Sequence, residues 1–117
     1  MTLWPAERMS IEAELRQAAD AIARGNDGMA RVCARRASGT ALRAWSRAKG
    51  ISAPPDAQSL LKLASSDPGL PAEIRQAAER LSTSVADRDS LPFSDDPVGD
   101  AMLIVDTLES LPGKRDV

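Results

Sequence analysis

One stretch of the sequence decides the fold. It reads GMARVCARRASGTALRAWSRAK and runs from Gly28 to Lys49. Apolar and small residues recur in it at three- and four-residue spacing, which predicts an amphipathic helix. Its predicted inner stripe comprises Met29, Val32, Cys33, Ala37, Thr40, Ala41, Ala44, Trp45 and Ala48. Because many of these side chains are small, a second helix can approach closely, and Gly39 fits either such a crossing or a functional approach to the backbone.

Four more helices are predicted around this stretch. Turn and cap residues set their ends: glycine stops a helix, and aspartate caps the next one. We therefore expect stops at Gly25 and Gly50 and caps at Asp27, Asp56 and either Asp95 or Asp96. The flanking helices are predicted over about 6–24, 57–65 and 71–84, with the last helix starting at Pro97 and a loop over 87–96. No run alternates with the two-residue period of a strand. The sequence thus predicts an all-α fold, a compact and mostly antiparallel bundle of about five helices forming a single domain over residues 1–117.

Composition excludes much chemistry. The chain has no histidine, which removes histidine bases, triads and metal ligands. Its one cysteine, Cys33, can form no intrachain disulfide and is expected to be a small buried residue and not a reactive thiol. No glycine-rich phosphate loop is present, so no cofactor is expected. No run approaches the roughly 20 apolar residues of a membrane span, and the N-terminus does not have the pattern of a signal peptide. We predict a cytoplasmic protein that does not bind membranes.

Charge is distributed unevenly along the chain. The formal net charge is −2, yet residues 24–49 carry seven basic residues against Asp27, and residues 84–111 carry seven acidic residues against Arg88. One interpretation is that the two segments neutralise each other, within the fold or between subunits. The other is that the basic helix binds nucleic acid, which the acidic overall balance disfavours.

Three arginines of the basic helix share one face. Arg36, Arg43 and Arg47 stand seven and four residues apart, so their side chains project to one side of a helix. Such a stripe can bind a phosphate or nucleic acid, because guanidinium groups bind anions in a bidentate manner. It can equally pair with acidic residues of the last helix or take part in a contact between subunits. Arg31 and Arg35 lie on another face and are expected to be solvated.

Two carboxylates of the last helix, Asp96 and Asp100, stand four residues apart. Such a pair can contribute to a magnesium site. A cap at Asp96 and a first-turn position for Asp100 explain the same residues without a metal, because carboxylates are favoured at a helix N-terminus. We therefore expect no metal site.

Apolar residues of the last helix exceed what one core face needs. Val98, Ala101, Met102, Val105 and Leu108 form its predicted core face, which Ile104 widens, whereas Leu103 lies on the opposite side. A second subunit can cover such a helix. Trp45, at the edge of the inner stripe, suits the core or a dimer contact better than ligand stacking. Trp45, Met102 and Leu103 are therefore the candidate residues of a dimer interface.

The order of these segments resembles small HEPN domains. The resemblance rests on residues 30–45, 49–52, 60–63, 70–74, 88–93 and 97–101. It implies a helical bundle that commonly dimerises and often accompanies a nucleotidyltransferase. Many members of the family are metal-independent ribonucleases with an arginine followed, after four to six residues, by a histidine. Here Arg35 or Arg36 can stand for the arginine, but Leu42 or Arg43 stands where a seven-residue step would put the histidine.

These observations together predict a non-catalytic, HEPN-like helical interaction module that forms a homodimer. A nucleotidyltransferase is a possible protein partner. The alternative is a module that binds a nucleotide or RNA through Arg36, Arg43 and Arg47.

Overall fold

The protein is a bundle of helices. The computed structural model describes residues 5–111 and shows no strand among them. Five α-helices follow one another along this part of the chain: α1 (Pro5–Ala23), α2 (Asp27–Ala48), α3 (Ala57–Ser65), α4 (Ala72–Ser82) and α5 (Pro97–Ser110). A short 3₁₀ turn, Val85–Asp87, opens the connection between α4 and α5. The predicted all-α bundle of five helices is confirmed.

Side chains and glycines end the helices much as the sequence predicts. Asp56 caps α3 by accepting a hydrogen bond from the Ser59 backbone N–H at 2.8 Å, and Asp96 caps α5 in the same way. Gly25 and Gly50 follow α1 and α2 with φ of +75° and +72°, a conformation that glycine adopts without strain. The cap of α2 was predicted wrongly: Asn26, and not Asp27, accepts the hydrogen bond from Met29, and Asp27 is the first residue of the helix.

Neighbouring helices run mostly antiparallel. In each such pair, a side chain at the start of one helix contacts a residue at the end of the other. These contacts are Glu7 with Arg47, Arg8 with Glu109, Gln58 with Ser82 and Arg80 with Asp100. They pair α1 with α2, α1 with α5, α3 with α4 and α4 with α5. Since α1 is antiparallel to both α2 and α5, the last two run in the same direction.

Helix α2 lies at the centre and packs against all four other helices. Its buried positions differ from the predicted stripe: Met29 and Val32 are exposed, whereas Leu42, Ser38 and Ser46 are buried. The predicted stripe is thus rotated from the observed buried side of α2, on which two of the buried positions are serines. Met102 of α5, predicted in the core, is also exposed, because the buried side of α5 is centred on Ala101, Ile104 and Leu108.

Gly39 brings α3 into contact with the middle of α2. A Cβ atom added to Gly39 would lie 2.8 Å from the Ala57 Cβ and 3.1 Å from the Ala57 Cα. Both distances are shorter than van der Waals contact, so only glycine allows the first turn of α3 to reach the backbone of α2. The sequence-based expectation of a close helix crossing at Gly39 is confirmed, and this crossing fixes where α3 lies.

We predict that Gly39→Ala lowers the free energy of unfolding by about 1–3 kcal/mol, because the new methyl group pushes against α3. The same change in an open helix is favourable by up to about 1 kcal/mol. Urea unfolding followed by circular dichroism measures the difference.

Two variants control this experiment. Gly28→Ala adds a methyl group to the same helix where the nearest atom is 3.9 Å away, and it is expected to be neutral or stabilising. Ala57→Gly in the Gly39→Ala background removes the closer of the two clashes and should restore part of the loss. Equal stability of Gly39→Ala and Gly28→Ala would contradict the close contact between α2 and α3 at Gly39.

Candidate functional site

The arginine stripe of α2 is present but largely occupied. Arg47 forms an ion pair with Glu7 of α1, and Arg43 donates a hydrogen bond to the Pro55 carbonyl oxygen at 2.6 Å. Within residues 5–111, Arg36 is the one member of the stripe without a hydrogen bond or ion pair. Arg36 and Arg43 border a small hollow of about 280 Å³, which Glu14 also lines.

Carboxylates of α1 and of the loop before α3 balance the stripe. Glu7 pairs with Arg47, Glu14 shares the hollow of Arg36 and Arg43, and the charge of Arg43 acts on Asp56. One interpretation left open by the sequence was that the arginine stripe pairs with acidic residues of the last helix. Within one chain this interpretation is wrong. The physical reason is that α1, antiparallel to α2, lies beside this face.

Arg31 and Arg35 hold the segment after α4 against α2. Arg35 donates to the carbonyl oxygens of Leu81 at 2.8 Å and Thr83 at 3.5 Å. Burial, aided by the charge of Arg31, lowers the pKa of Arg35. The guanidinium carbon of Arg31 lies 4.0 Å from the centroid of the Phe93 ring, a cation–π contact. The expectation that both arginines are solvated is wrong, because the chain after α4 returns across this side of α2.

Cys33 is buried, as predicted. Its Sγ lies 3.8 Å from the Gln17 Oε1, across the α1–α2 contact. Burial raises the pKa of the Cys33 thiol, and the neighbouring Glu14 carboxylate raises it further. A buried thiol with a raised pKa is a poor nucleophile.

Asp96 and Asp100 have separate structural roles. Asp96 caps α5, whereas Asp100 accepts two hydrogen bonds from Arg80, at 2.7 and 3.1 Å, and one from the Ser94 hydroxyl at 2.7 Å. Hydrogen bonds with Asp100 raise the pKa of Arg80. The part of the chain that the structure describes contains no group of three or more side chains that could hold a metal ion.

An apolar groove lies beside the C-terminal half of α2. We call it the Trp45 groove; its volume is about 330 Å³. Residues of α2, of the loop after it, of α3 and of the loop after α3 line it: Leu42, Trp45, Ser46, Ile51, Ser52, Ala53, Pro54, Leu60, Leu63, Ala64, Ser66, Asp67 and Leu70. Trp45 is half-buried and packs against the core, while Lys49 places its ammonium 5.1 Å from the Trp45 ring centroid. Leu63 and Ile51 remain 59% and 49% exposed at the groove, which leaves apolar surface available for contact.

The three candidate residues of a dimer interface lie on two surfaces. Trp45 lines the groove, whereas Met102 and Leu103 are exposed on the outer side of α5, with 47% and 37% of their surface accessible. None of the described residues of α5 lines the groove. One sequence signal points to the groove: the leucines at 60, 61 and 63 spread over more of a short helix than a single buried face covers.

Comparison with known proteins identifies no relative. No family model, no curated protein and no solved structure matches this chain. The likeness to HEPN domains, the cytoplasmic location and the nucleotidyltransferase partner therefore stay predictions. Among the described helices, none combines the length and the apolar character that crossing a membrane requires.

Asp100→Asn is predicted to lower the free energy of unfolding by about 2 kcal/mol. The change weakens two hydrogen bonds with Arg80. The expected loss of stability is modest because the Arg80 side chain is 33% exposed, so water screens the ion pair. The matched control is Asp106→Asn, the same change at an exposed position of α5, which should alter stability by less than about 0.5 kcal/mol. Chemical unfolding of both variants measures the difference. Equal losses of stability would contradict a stabilising role for the partly buried pair of Arg80 and Asp100.

Stability near pH 4 should respond to Asp56. Hydrogen bonds from Ser59 hold the pKa of Asp56 below its ordinary value of 3.8, and Arg43 acts in the same direction. A folded-state pKa below the unfolded one means that the ionised group stabilises the fold above about pH 4 and that this gain disappears as the pH falls through the folded value. In Asp56→Asn the cap remains but cannot ionise. The urea midpoint of the parent chain should therefore be higher than that of Asp56→Asn above about pH 4, and the two midpoints should converge below it. A difference between the midpoints that is constant with pH would contradict this.

Proposed function

We propose that this protein is a non-catalytic helical interaction module, HEPN-like in architecture, that self-associates through the Trp45 groove. The observation that carries the proposal is the groove itself. It is apolar and open to solvent, and two leucine-sized side chains at its edge, Leu63 and Ile51, remain about half exposed. Exposed apolar surface of this kind is typical of contact sites on soluble domains.

The groove suits a contact between two copies of the chain. A two-fold dimer brings the same patch of both copies together, so a groove with a protruding side chain at its edge can accept the equivalent side chain of the other copy. Leu63 is such a side chain, because it lines the groove and is also the more exposed of the two. Trp45 contributes a large rigid surface, which favours binding at low cost in side-chain entropy.

The state of the reactive side chains supports a role without catalysis. The sequence has no histidine. The Cys33 thiol is buried with a raised pKa, and the Asp100 carboxylate is held by Arg80 and Ser94. Neither the Cys33 thiol nor the Asp100 carboxylate has the exposure that a nucleophile or a general base requires.

The alternative, binding of a nucleotide or RNA, gains less support. It requires Arg36, Arg43 and Arg47 to face an anion together. Arg47 is paired with Glu7, and Glu14 lies beside the other two, so the stripe offers little excess positive charge.

Sedimentation equilibrium of the full chain tests self-association. We expect a dimer at micromolar to millimolar concentration, and we expect Leu63→Asn to weaken it about ten-fold, because an amide would be buried where a leucine packs. Leu91→Asn is the matched control, since Leu91 is similarly exposed but lies outside the groove, and it should leave the dimer unchanged. A second readout uses Trp4→Phe, which leaves Trp45 as the one tryptophan of the chain; its fluorescence should shift to shorter wavelength on association.

Two results would contradict the proposal. The first is a chain that stays monomeric up to about millimolar concentration, the range of the weakest specific contacts. The second is a dimer that Leu63→Asn and Leu91→Asn affect equally.

A further inference from the structure

Within residues 5–111, most acidic side chains of the segment 84–111 form no ion pair. Two of its seven acidic residues are bound to basic side chains from elsewhere: Asp100 to Arg80 of α4 and Glu109 to Arg8 of α1. The other five are exposed: Asp87, Asp89, Asp95, Asp96 and Asp106. The sequence suggested that the basic helix α2 neutralises this segment within one fold. Among the described residues, neither of the segment's two ion pairs involves α2.

Two arginines lie near two of these five carboxylates. Arg88 and Arg31 line a polar hollow of about 520 Å³ together with Asp27, Asp89 and Asp95. In this hollow two guanidinium groups face three carboxylates. Asp87, Asp96 and Asp106 do not line this hollow, and none of them forms an ion pair with another described residue.

Apolar side chains share the surface with this charge. Asp106 stands three and four residues after Leu103 and Met102, which makes all three neighbours on the outer side of α5. Asp96 stands seven residues before Leu103, so it lies two turns away along the same side. The result, which we call the α5 outer face, is a pair of exposed apolar side chains with a carboxylate toward each end of the helix.

We propose that the α5 outer face is the docking surface for a basic amphipathic helix of another protein. Apolar residues of that helix would cover Met102 and Leu103, and its lysines or arginines would lie against Asp96 and Asp106. Helices commonly dock by placing an apolar stripe on such a surface, and complementary charge selects and orients them. This surface is separate from the Trp45 groove, so the inference does not depend on the proposed self-association.

Charge argues against a second copy as the occupant. A two-fold dimer through this face would bring Asp96 and Asp106 of both copies near each other, which is a repulsive arrangement. The arginine stripe of α2 in the same chain is not the complement either, because Arg43 and Arg47 are bound to Pro55 and Glu7 and Arg36 lines the hollow with Glu14. A basic partner of different sequence fits both the charge and the apolar pair.

Peptide titrations of the full, ¹⁵N-labelled chain test the proposal. The probe is a synthetic helix of about four turns built from leucine, alanine and lysine, with leucine on one side. One comparison peptide replaces every lysine with glutamate, and another scrambles the leucine and lysine order. We expect the first peptide alone to shift the amides of residues 96–110, with binding that weakens between about 0.05 and 0.5 M salt.

Paired variants locate the site. Leu103→Asn and Asp106→Asn should each weaken binding of the lysine peptide about five- to ten-fold without unfolding the chain, since both side chains reach solvent. Leu63→Asn and Asp56→Asn make matched changes at exposed positions of α3 and its N-terminal cap, and they should leave the affinity unchanged.

Four outcomes of the peptide titrations would overturn the proposal. They are the absence of shifts at millimolar lysine peptide, equal binding of the glutamate peptide, equal binding of the scrambled peptide, and shifts centred on the Trp45 groove. Loss of self-association in Leu103→Asn but not in Leu63→Asn would also overturn it, because it would show that a second copy covers the face. Failure in the peptide titrations leaves the dimer through the groove intact, and a chain that stays monomeric leaves this face intact.

Discussion

The close contact between Gly39 and Ala57 holds α3 against the central helix α2. It allows the first turn of α3 to touch the backbone of α2, at distances that no residue other than glycine permits. Once α3 is held there, its Leu60, Leu63 and Ala64 stand opposite Leu42 and Trp45 of α2. The groove between the two helices is thus a consequence of one missing side chain.

The arginines of α2 determine the electrostatic character of the whole surface. Arg43 and Arg47 turn toward the α1 side and the loop before α3, while Arg35 is used on backbone carbonyl groups. Few arginines of α2 therefore remain free to neutralise the acidic side chains of residues 84–111. Within residues 5–111, most arginines of α2 are bound within the fold, whereas five acidic side chains of residues 84–111 are exposed and form no ion pair. Two separate surfaces follow, one apolar at Trp45 and one both apolar and acidic on α5.

Local sequence signals predicted the helices well and the contacts poorly. The glycines after α1 and α2 and the caps at Asp56 and Asp96 act within a few residues, so their effect can be derived from the sequence. The partners of Arg35 and Arg47 are 46 and 40 residues away, and no local rule identifies them. The buried side of α2 was misplaced for a related reason: Ser38 and Ser46 are buried by neighbouring helices and carry no apolar signal of their own.

From the sequence alone follow the all-α class, the number of helices, most of their ends and the burial of Cys33, whereas the sequence left a helix crossing at Gly39 as one of two explanations that the structure decides. Each of the first four follows from periodicity or from the conformational preference of a single residue. Only the tertiary structure decided that Glu7 and Glu14 face the arginine stripe, that Met102 is exposed, and that Trp45 lines a groove. These depend on how α1, α3 and α5 are placed around α2, which is set by packing between residues far apart in the chain.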